Sequence, residues 1–500
     1  MGETTLGSVH LNEGLKMTML NDFNYDQMRL EAGLLCFKYQ KEDLLELNCA
    51  YAEMLLSQGL LTQNEYTEIK KGLLESFPKV TEKDFEISNG DIHFTYESAL
   101  FKQIGPQIAQ KLHVGRSRND MYFTLYRMSV RRALLKVSSA VLELQAVLKS
   151  AIENNVETVI PYYTYGQPSQ PGTWGHYLES IRESLTLGLL QSKSAFELVN
   201  QSPMGAAAGI GTAFNLNRDQ VARLLGFDQV VDNTLLAISD VVYYLQSIFA
   251  FTTINVTLTR LTNDLIFFSS TECGILDCDM SLCGGSSIMP QKKNVEALET
   301  LRTQTLQLGG YLLNSIASSS ATFFSSYQTY AFFDKFWDNV DILVKNILLT
   351  ALVIQKSTIK KDIAYKRTRD GFTAATGMAE TLTIETKESF AVTHHVVGGM
   401  IKELMHRDNL EVGAMTPTLL EDVSQKVMGI KIVKTKEQIA ELLDPLVSLN
   451  AKITGGTPKP QDTLNLLSRD EVRLTAFSQW LQETEQHLLK CREHLIGKKQ

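Results

Sequence analysis

The chain has 500 residues, of which 44% are hydrophobic, and a formal net charge of −8. This apolar content supports a large buried core, and the acidic balance without a basic stripe disfavours a protein that binds nucleic acid. No secretory signal is apparent in the first 16 residues, and six cysteines without zinc-pair or disulfide-framework spacing favour reduced thiols in a cytoplasmic protein.

Polar residues precede the first long apolar pattern of the chain. The segment HVGRSRND, residues 113–120, places arginines and short polar side chains around Gly115. Such groups suit a bound carboxylate, whereas the alternative is a helix start with a Ser or Asn cap and surface arginines. Upstream, Asp91, His93 and Glu97 form a DIHxxxE pattern. A histidine of this kind, taken alone, is typical of a hydrogen-bonded packing residue.

Three long stretches lack proline and predict long helices. Residues 107–160, 204–289 and 291–416 contain none, and an internal proline would interrupt the helical hydrogen bonds. In the first stretch, apolar residues recur at three- and four-residue spacing: Leu134, Val137, Val141, Leu144, Leu148 and Ile152. This spacing predicts one face of a bundle helix, and the lack of period-two alternation predicts little sheet. We therefore expect an all-α fold whose helices associate with other copies of the chain.

Two further segments lie between the long helical patterns. Residues 161–171, PYYTYGQPSQP, combine prolines with a glycine and predict a break between helices. The most apolar segment, residues 235–261, contains Asp240, Gln246 and Arg260. Since these polar groups disfavour a membrane span, the segment predicts a buried bundle helix.

Residues 284–294, GGSSIMPQKKN, are the most informative segment and are called the serine loop. The two glycines allow backbone N–H groups to approach a ligand, and the helical pattern that follows favours an anion at its N-terminus. A serine at such a place can act as a base where cations and amide donors stabilise its alkoxide. The alternative is an ordinary surface loop, with glycine for a turn and lysine for solubility.

The serine loop resembles the GSSxMPxKxN signature of the fumarase/aspartase superfamily, and its QKK form resembles the argininosuccinate lyase branch. Residues 91–97 and 113–120 are similar to that branch's DIHxxxE and HTGRSRND motifs, with valine at the threonine position. The resemblance spans most of residues 40–460. It implies an all-α homotetramer around a multi-helix core, with active sites shared between subunits. It also implies β-elimination that releases fumarate from a succinyl group, without a metal or organic cofactor.

The motif residues that bind the succinyl part of the substrate in this family all have matches in this chain. It implies that Ser286 is the base, which removes a proton from Cβ. The substrate-binding residues that it implies on this side and its borders are Arg116, Ser117, Arg118, Asn119, Thr164, Gln167, Lys292 and Asn294. In this assignment Lys292 and Asn294 hold a carboxylate, and Arg118 contacts the rest of the substrate.

The chain departs from the family at Tyr165. The family motif GYTHLQxAQP has a histidine there, usually assigned as the general acid for the departing nitrogen and oriented by a glutamate that matches Glu299. A tyrosine can donate a proton, but its unperturbed pKa of ~10 is far from optimal at neutral pH. Three interpretations stay open: Tyr165 is the acid, the leaving group needs little protonation, or activity is impaired.

Other departures lie on the amine side of the substrate. In the family a tyrosine, a glutamine and a lysine hold the amino-acid end of the arginine moiety. Tyr327 and Lys335 match, whereas Phe332 replaces the glutamine, and an aromatic ring cannot replace an amide's donor and acceptor. A serine expected shortly before Tyr25 and Asp26 is also absent. The departures thus fall on the amine side of the substrate, whereas the succinyl side matches the family. This difference indicates that the reaction type is retained and leaves open that the amine released from the substrate has changed.

We therefore expect a carbon–nitrogen lyase with an N-terminal helical domain (residues 1–115), a central bundle (116–370) and a C-terminal helical domain (371–500). Argininosuccinate is the default substrate, cleaved to arginine and fumarate in arginine biosynthesis, and another aspartate–amine adduct is the close alternative. A catalytically silent structural paralogue is the rival from a different class, favoured by Tyr165 and opposed by the complete serine loop. We expect no nucleic-acid, membrane, metal or cofactor partner.

Overall fold

The computed structural model describes residues 25–85, 91–320, 322–324 and 329–498. These residues form two compact units. Unit 1 contains the described residues up to Ser129, Ser202–Ile238, and the described residues from Cys491 onward. Unit 2 contains Val130–Gln201 and Ser239–Lys490. The three-domain division expected from the sequence stays a prediction.

Most described residues are α-helical, and the all-α expectation is confirmed. In chain order the helices are α1 (Tyr25–Ser57), α2 (Gln63–Ser76), α3 (Ile92–Ile104), α4 (Pro106–Ala109), α5 (Arg118–Glu153), α6 (Trp174–Val199), α7 (Arg218–Leu224), α8 (Thr234–Ala237), α9 (Val242–Ser269), α10 (Glu296–Ser319), α11 (Thr329–Gln355), α12 (Lys361–Asp370), α13 (Ala375–Thr386), α14 (Phe390–His406), α15 (Pro417–Met428), α16 (Lys436–Leu442), α17 (Pro445–Asn450) and α18 (Pro460–Ile496). Helix α5 contains the apolar stripe of the first proline-free stretch, and each of its six residues is buried.

Strand content is low, as expected. Within the described residues, strands pair only as short two-stranded sheets: β1 (Val159–Thr164) with β2 (Gln167–Thr173), β3 (Gln201–Ser202) with β4 (Gln229–Val230), and β5 (Leu276–Cys278) with β6 (Ser357–Ile359). Strands β1 and β2 are antiparallel, and so are β5 and β6. Residues 161–171, expected only to break a helix, therefore form a hairpin.

Unit 2 is built on a helical bundle. Helix α9 packs against α6 and α10, and α10 packs against α11. Leu258 and Leu261 of α9 are completely buried, which agrees with a bundle helix in the most apolar part of the chain. Among the described helices, none has a stretch that is both apolar and long enough to cross a membrane.

The C-terminal part of unit 2 has its own apolar core. Helices α13, α14 and α15 pack together around buried residues that include Met378, Met400 and Leu420. Residues 455–458 lie in the loop between α17 and α18, where the sequence places a loop. The six cysteines of the whole chain are free thiols.

A buried charge cluster joins α6 to α18 within unit 2. The guanidinium of Arg182 donates to Asp470 at 2.9 Å and to Glu471 at 2.7 Å. A third carboxylate, Glu179, lies 4.0 Å from the same guanidinium. One oxygen each of Glu179 and Asp470 is buried without a hydrogen-bond partner among the described residues. Lys149 also lies 3.4 Å from Glu471, so two cations face three carboxylates and negative charge is in excess.

This excess predicts a pH-dependent stability. Burial, opposed in part by Arg182, raises the pKa of Glu179 from 4.5 to about 7. Because the folded state binds this proton more tightly than the unfolded state, its contribution to stability is present below about pH 4.5 and is lost as the pH rises through about 7. We expect Glu179→Gln to raise the melting temperature at pH 8 and to leave it nearly unchanged at pH 5. An equal change at both pH values in thermal unfolding would contradict this origin.

Candidate active site

The serine loop is closed at its base by two backbone hydrogen bonds. The amide of Gly284 donates to the carbonyl of Asn294 at 2.8 Å, and the amide of Asn294 donates back to the carbonyl of Gly284 at 3.1 Å. A Cβ at Gly284 would overlap the carboxylate of Glu296 on the first turn of α10. The two ends of the serine loop are therefore held together by backbone hydrogen bonds within unit 2.

The hydroxyl of Ser286 lies at the start of a turn inside the loop. Its Oγ accepts the backbone N–H of Met289 at 3.0 Å and that of Ile288 at 3.4 Å, and the residue is half-buried. Backbone N–H groups aimed at an oxygen stabilise negative charge on it without any rearrangement during the reaction. These contacts are compatible with negative charge on the oxygen of Ser286, and its role as the base, which the resemblance implies, stays a prediction.

The two adjacent lysines of the loop make different contacts. Lys292 is exposed, and its ammonium makes no hydrogen bond or ion pair with any residue that the structure describes. The ammonium of Lys293, in contrast, donates to the backbone carbonyl of Cys278 at 2.6 Å. Glu299, on α10, is exposed and accepts a hydrogen bond from Arg302 at 2.7 Å. The ammonium of Lys292, six residues after Ser286, is thus available to bind a ligand.

The hairpin of β1 and β2 ends in a strained two-residue turn. Tyr165 and Gly166 have φ values of 54° and 73°, as a type I′ turn requires. For a residue with a side chain, the left-handed conformation costs roughly 1–2 kcal/mol. The side chain of Tyr165 is 103% exposed, so packing within this chain does not offset that cost.

Thr164 and Gln167 flank this turn and are exposed. Within the described residues of unit 2, no hydrogen bond or ion pair joins the hairpin turn to the serine loop. Lys335 is exposed on α11. Tyr327 and the side chain of Phe332 lie outside the described residues, so the amine-side predictions stay predictions.

In unit 1, the start of α5 carries the Ser117 group. The N–H of Asn119 donates to Ser117 Oγ at 3.3 Å, and the Asn119 side chain has no hydrogen bond to a described residue. The fully buried Asp120 fixes this segment, because it accepts N–H bonds from Ser117 at 2.9 Å, Gly205 at 3.0 Å and Ala207 at 2.9 Å. Burial raises the pKa of Asp120 to about 6, against these three donors.

Asp120 is a residue that the sequence analysis did not select. Its position directly before the first long apolar pattern was visible, but its partners Gly205 and Ala207 lie more than 80 residues away along the chain. Removal of that carboxylate would leave buried N–H groups without an acceptor. Asp120 therefore orients Ser117 and Asn119 and has no exposed surface for a substrate.

The two arginines of the segment have different surroundings. Arg118 donates to Asp91 at 2.9 Å and lies over the ring of Phe94, 4.8 Å from its centroid. Arg116 is buried, and its guanidinium carbon lies 5.0 Å from the ring centroid of Tyr51. Two of its nitrogens, Nε and Nη1, have no hydrogen-bond partner among the described residues. Substrate contacts by either arginine stay predictions.

Three side chains near Arg116 have metal-ligand chemistry. The ligand atoms of His93, Glu97 and His113 lie within 4.8 Å of one another. Burial, with the nearby charges of Arg116 and Arg118, lowers the pKa of His113 to about 4 and lowers that of His93 as well. Both imidazoles are therefore neutral at pH 7. However, the buried guanidinium of Arg116 beside them opposes a divalent cation.

The chain is similar over most of its length to known lyases. The family model described as Lyase matches residues 27–310. Argininosuccinate lyase from Anoxybacillus flavithermus is 30% identical over 419 residues, which cover 83% of this chain and 89% of that protein. Argininosuccinate lyase from Methanosarcina barkeri is 29% identical over 432 residues, covering 86% and 87%.

Solved structures give the same result for the fold. EDDS lyase in complex with formate has a TM-score of 0.85 and 25% identity, with 94% of each chain covered. Class II fumarase from Schistosoma mansoni has a TM-score of 0.70 and 17% identity, covering 87% of this chain and 95% of that one. The expected fumarase/aspartase-like fold is therefore confirmed.

Proposed function

The chain belongs to this lyase family, as a divergent member of its argininosuccinate lyase branch, and is a carbon–nitrogen lyase; we propose that it releases fumarate from an N-substituted aspartate. Argininosuccinate is the first substrate that we propose, because the named relatives are argininosuccinate lyases. The observation that carries this proposal is the hydroxyl of Ser286, which accepts two backbone N–H bonds in the loop that also presents Lys292.

The proposed reaction begins with proton removal. The Ser286 alkoxide takes a proton from Cβ of the succinyl group, and the electron pair moves into the adjacent carboxylate. The ammonium of Lys292 and the amide of Asn294 offset that second negative charge, which is how a site without a metal can stabilise such an intermediate. The C–N bond then breaks, the double bond of fumarate forms, and the nitrogen leaves with a proton from Tyr165 or water.

We propose that the site is completed by other copies of the chain in a homotetramer. Those of its assigned side chains that the structure describes are solvent-exposed or half-buried in the single chain, apart from Arg116. Helices α6 and α10 of unit 2 also leave large apolar side chains exposed, among them Leu187 at 53%, Leu306 at 64% and Leu313 at 72%. Faces of this kind support burial against a further copy.

Mixing two inactive variants tests the shared site. Ser117→Ala and Ser286→Ala protein, unfolded together and refolded, form sites in which both serines are intact if the two come from different copies. Recovery of about a quarter of the parent activity is then expected for random assembly. Recovery of none, from tetramers that light scattering shows to be mixed, would place both serines in the same copy.

A different aspartate–amine adduct is the second candidate substrate. Tyr165 and Phe332 depart from the family motifs on the amine side, and the chain also resembles EDDS lyase. Fumarate release from a panel of aspartate adducts, followed by absorbance, separates the two candidates. The proposal expects turnover of argininosuccinate or of another adduct in the panel. No turnover of any adduct would favour the silent paralogue.

We expect Tyr165 to serve as the general acid, and its substitution tests this. Loss of the phenol in Tyr165→Phe should lower kcat by ~10²-fold, because a positioned acid contributes about that much. Tyr165→His should be more active than Tyr165→Phe, because imidazole can also donate a proton. Its pH–rate profile should fall at lower pH than that of the parent, since imidazole loses its proton near pH ~6.5. An unchanged kcat in Tyr165→Phe would mean that the leaving group needs little protonation.

A further inference from the structure

Lys293 of the serine loop contacts the sheet beneath the loop. Its ammonium donates to the carbonyl oxygen of Cys278 at 2.6 Å and to Asp277 Oδ1 at 3.2 Å. Both acceptors belong to β5. Two consecutive lysines of one loop therefore differ in their contacts, since the ammonium of Lys292 is exposed and has no partner among the described residues, whereas that of Lys293 is bound to the protein.

Strand β5 is itself well fixed within unit 2. It pairs antiparallel with β6 over three residues, from Leu276 opposite Ile359 to Cys278 opposite Ser357. Backbone bonds extend the pairing at both ends: Lys360 N–H donates to the Ile275 carbonyl at 2.8 Å, and Asp279 N–H donates to the Lys356 carbonyl at 2.9 Å. Lys293 thus connects the returning end of the loop to a rigid ribbon.

We propose that Lys293 is a positioning residue for the elimination, which sets the location of Ser286 and Lys292 by fastening the serine loop to β5. This inference rests on the proposed function. Lys293 precedes Asn294, whose backbone pairs with Gly284, and it follows Lys292 directly. A shift at Lys293 therefore moves the carboxylate-binding lysine and changes the path of the loop toward Ser286.

A positioning role for Lys293 can be distinguished from a role in folding stability, because the two predict different effects of its loss. The side chains of Lys293 and Asp277 are 39% and 50% exposed, and ion pairs between side chains as exposed as these contribute little to the stability of the fold. Loss of Lys293 should therefore leave the melting temperature almost unchanged. Catalysis is more sensitive, because a misplacement of ~1 Å can cost about 10²-fold in rate. A large loss of kcat in a stable protein is the signature of positioning.

The test compares Lys293→Met and Lys293→Arg with Lys360→Met in the full assembled protein. Lys360 is the matched control, since its ammonium lies 3.7 Å from the same Asp277 oxygen and the residue lies outside the serine loop. We expect Lys293→Met to lower kcat by ~10–100-fold with KM within ~3-fold. Lys293→Arg should recover most of kcat, and Lys360→Met should resemble the parent. An unchanged kcat in Lys293→Met, or an equal loss in Lys360→Met, would overturn the proposal.

Hydrogen exchange provides a readout that does not depend on turnover. We expect amides of residues 284–294 to exchange faster in Lys293→Met than in the parent or in Lys360→Met, because the loop loses one of its fixed points. Exchange identical to the parent would overturn the positioning role even if no substrate is found. If the parent turns over no aspartate adduct while the loop exchanges faster in Lys293→Met, the proposed function fails and the structural contact stands.

Discussion

Replacement of Ser286 by alanine is expected to lower kcat for fumarate release by ~10³-fold or more, with a much smaller change in KM. The hydroxyl is the group that we assign to remove the Cβ proton, and a positioned base contributes ~10²–10⁴-fold. Its other contacts are the two N–H bonds from Ile288 and Met289. Loss of these bonds should cost the fold only about 1 kcal/mol. Steady-state fumarate release and circular dichroism measure the two effects.

Ser287 provides the matched control for this variant. It is the adjacent hydroxyl, it is exposed, and no hydrogen bond joins it to a residue that the structure describes. Ser287→Ala should therefore keep kcat within a few-fold of the parent. A Ser286→Ala protein that is folded, assembled and as active as Ser287→Ala would mean that another group is the base.

Replacement of Arg182 by methionine is expected to destabilise the folded chain by ~3–5 kcal/mol, because the change leaves buried carboxylates without their cation. The side chain of Arg182 is 1% exposed, and so removal of its charge takes the paired cation from two buried carboxylates, Asp470, at 3% exposed, and Glu179. Asp470 keeps a hydrogen bond from the hydroxyl of Thr186 at 2.8 Å. Glu471, at 40% exposed, can turn to solvent. Urea unfolding at pH 7.5 measures the loss.

A surface arginine of the same helix pair, α6 and α18, gives the comparison. Arg473 lies 3.5 Å from Glu183, and both side chains are about half exposed. Arg473→Met should change the free energy of unfolding by ~0–1 kcal/mol. If Arg182→Met lowers the free energy of unfolding no more than Arg473→Met does, the buried charge cluster does not stabilise the contact between α6 and α18. A smaller cost for Arg182→Met at pH 5 than at pH 8 would agree with the raised pKa of Glu179.

The helical part of the fold could be predicted from proline placement and apolar spacing, as α5 and α9 illustrate. The hairpin could not. Pro161, Pro168 and Pro171 all lie within β1 and β2, and prolines are usually evidence against a strand. They are compatible here because both strands of a two-stranded ribbon are edge strands, in which every second N–H faces away from the partner strand and needs no ladder acceptor. Two of the prolines, Pro161 and Pro171, lie opposite each other.

Recognition of the site depended on motifs with a fixed spacing along the chain. The serine loop is such a motif, and its closure by Gly284 and Asn294 follows from one local segment. The roles of Asp120 and Lys293 depend on partners that approach only in the folded chain. The burial of Arg116 is likewise a tertiary effect. Sequence patterns indicate the groups that we propose to face the substrate more readily than the groups that would position them.

The most direct measurement of the central claim follows the hydrogen at Cβ of the substrate. Addition of the amine to fumarate in D₂O is the reverse of the proposed elimination, and the same base must deliver the proton that it removes in the forward direction. We predict that the parent forms the aspartate adduct with one deuterium at Cβ and that Ser286→Ala forms it ~10³-fold more slowly or not at all. Incorporation of deuterium by Ser286→Ala at the parent rate would contradict the assignment of Ser286 as the base.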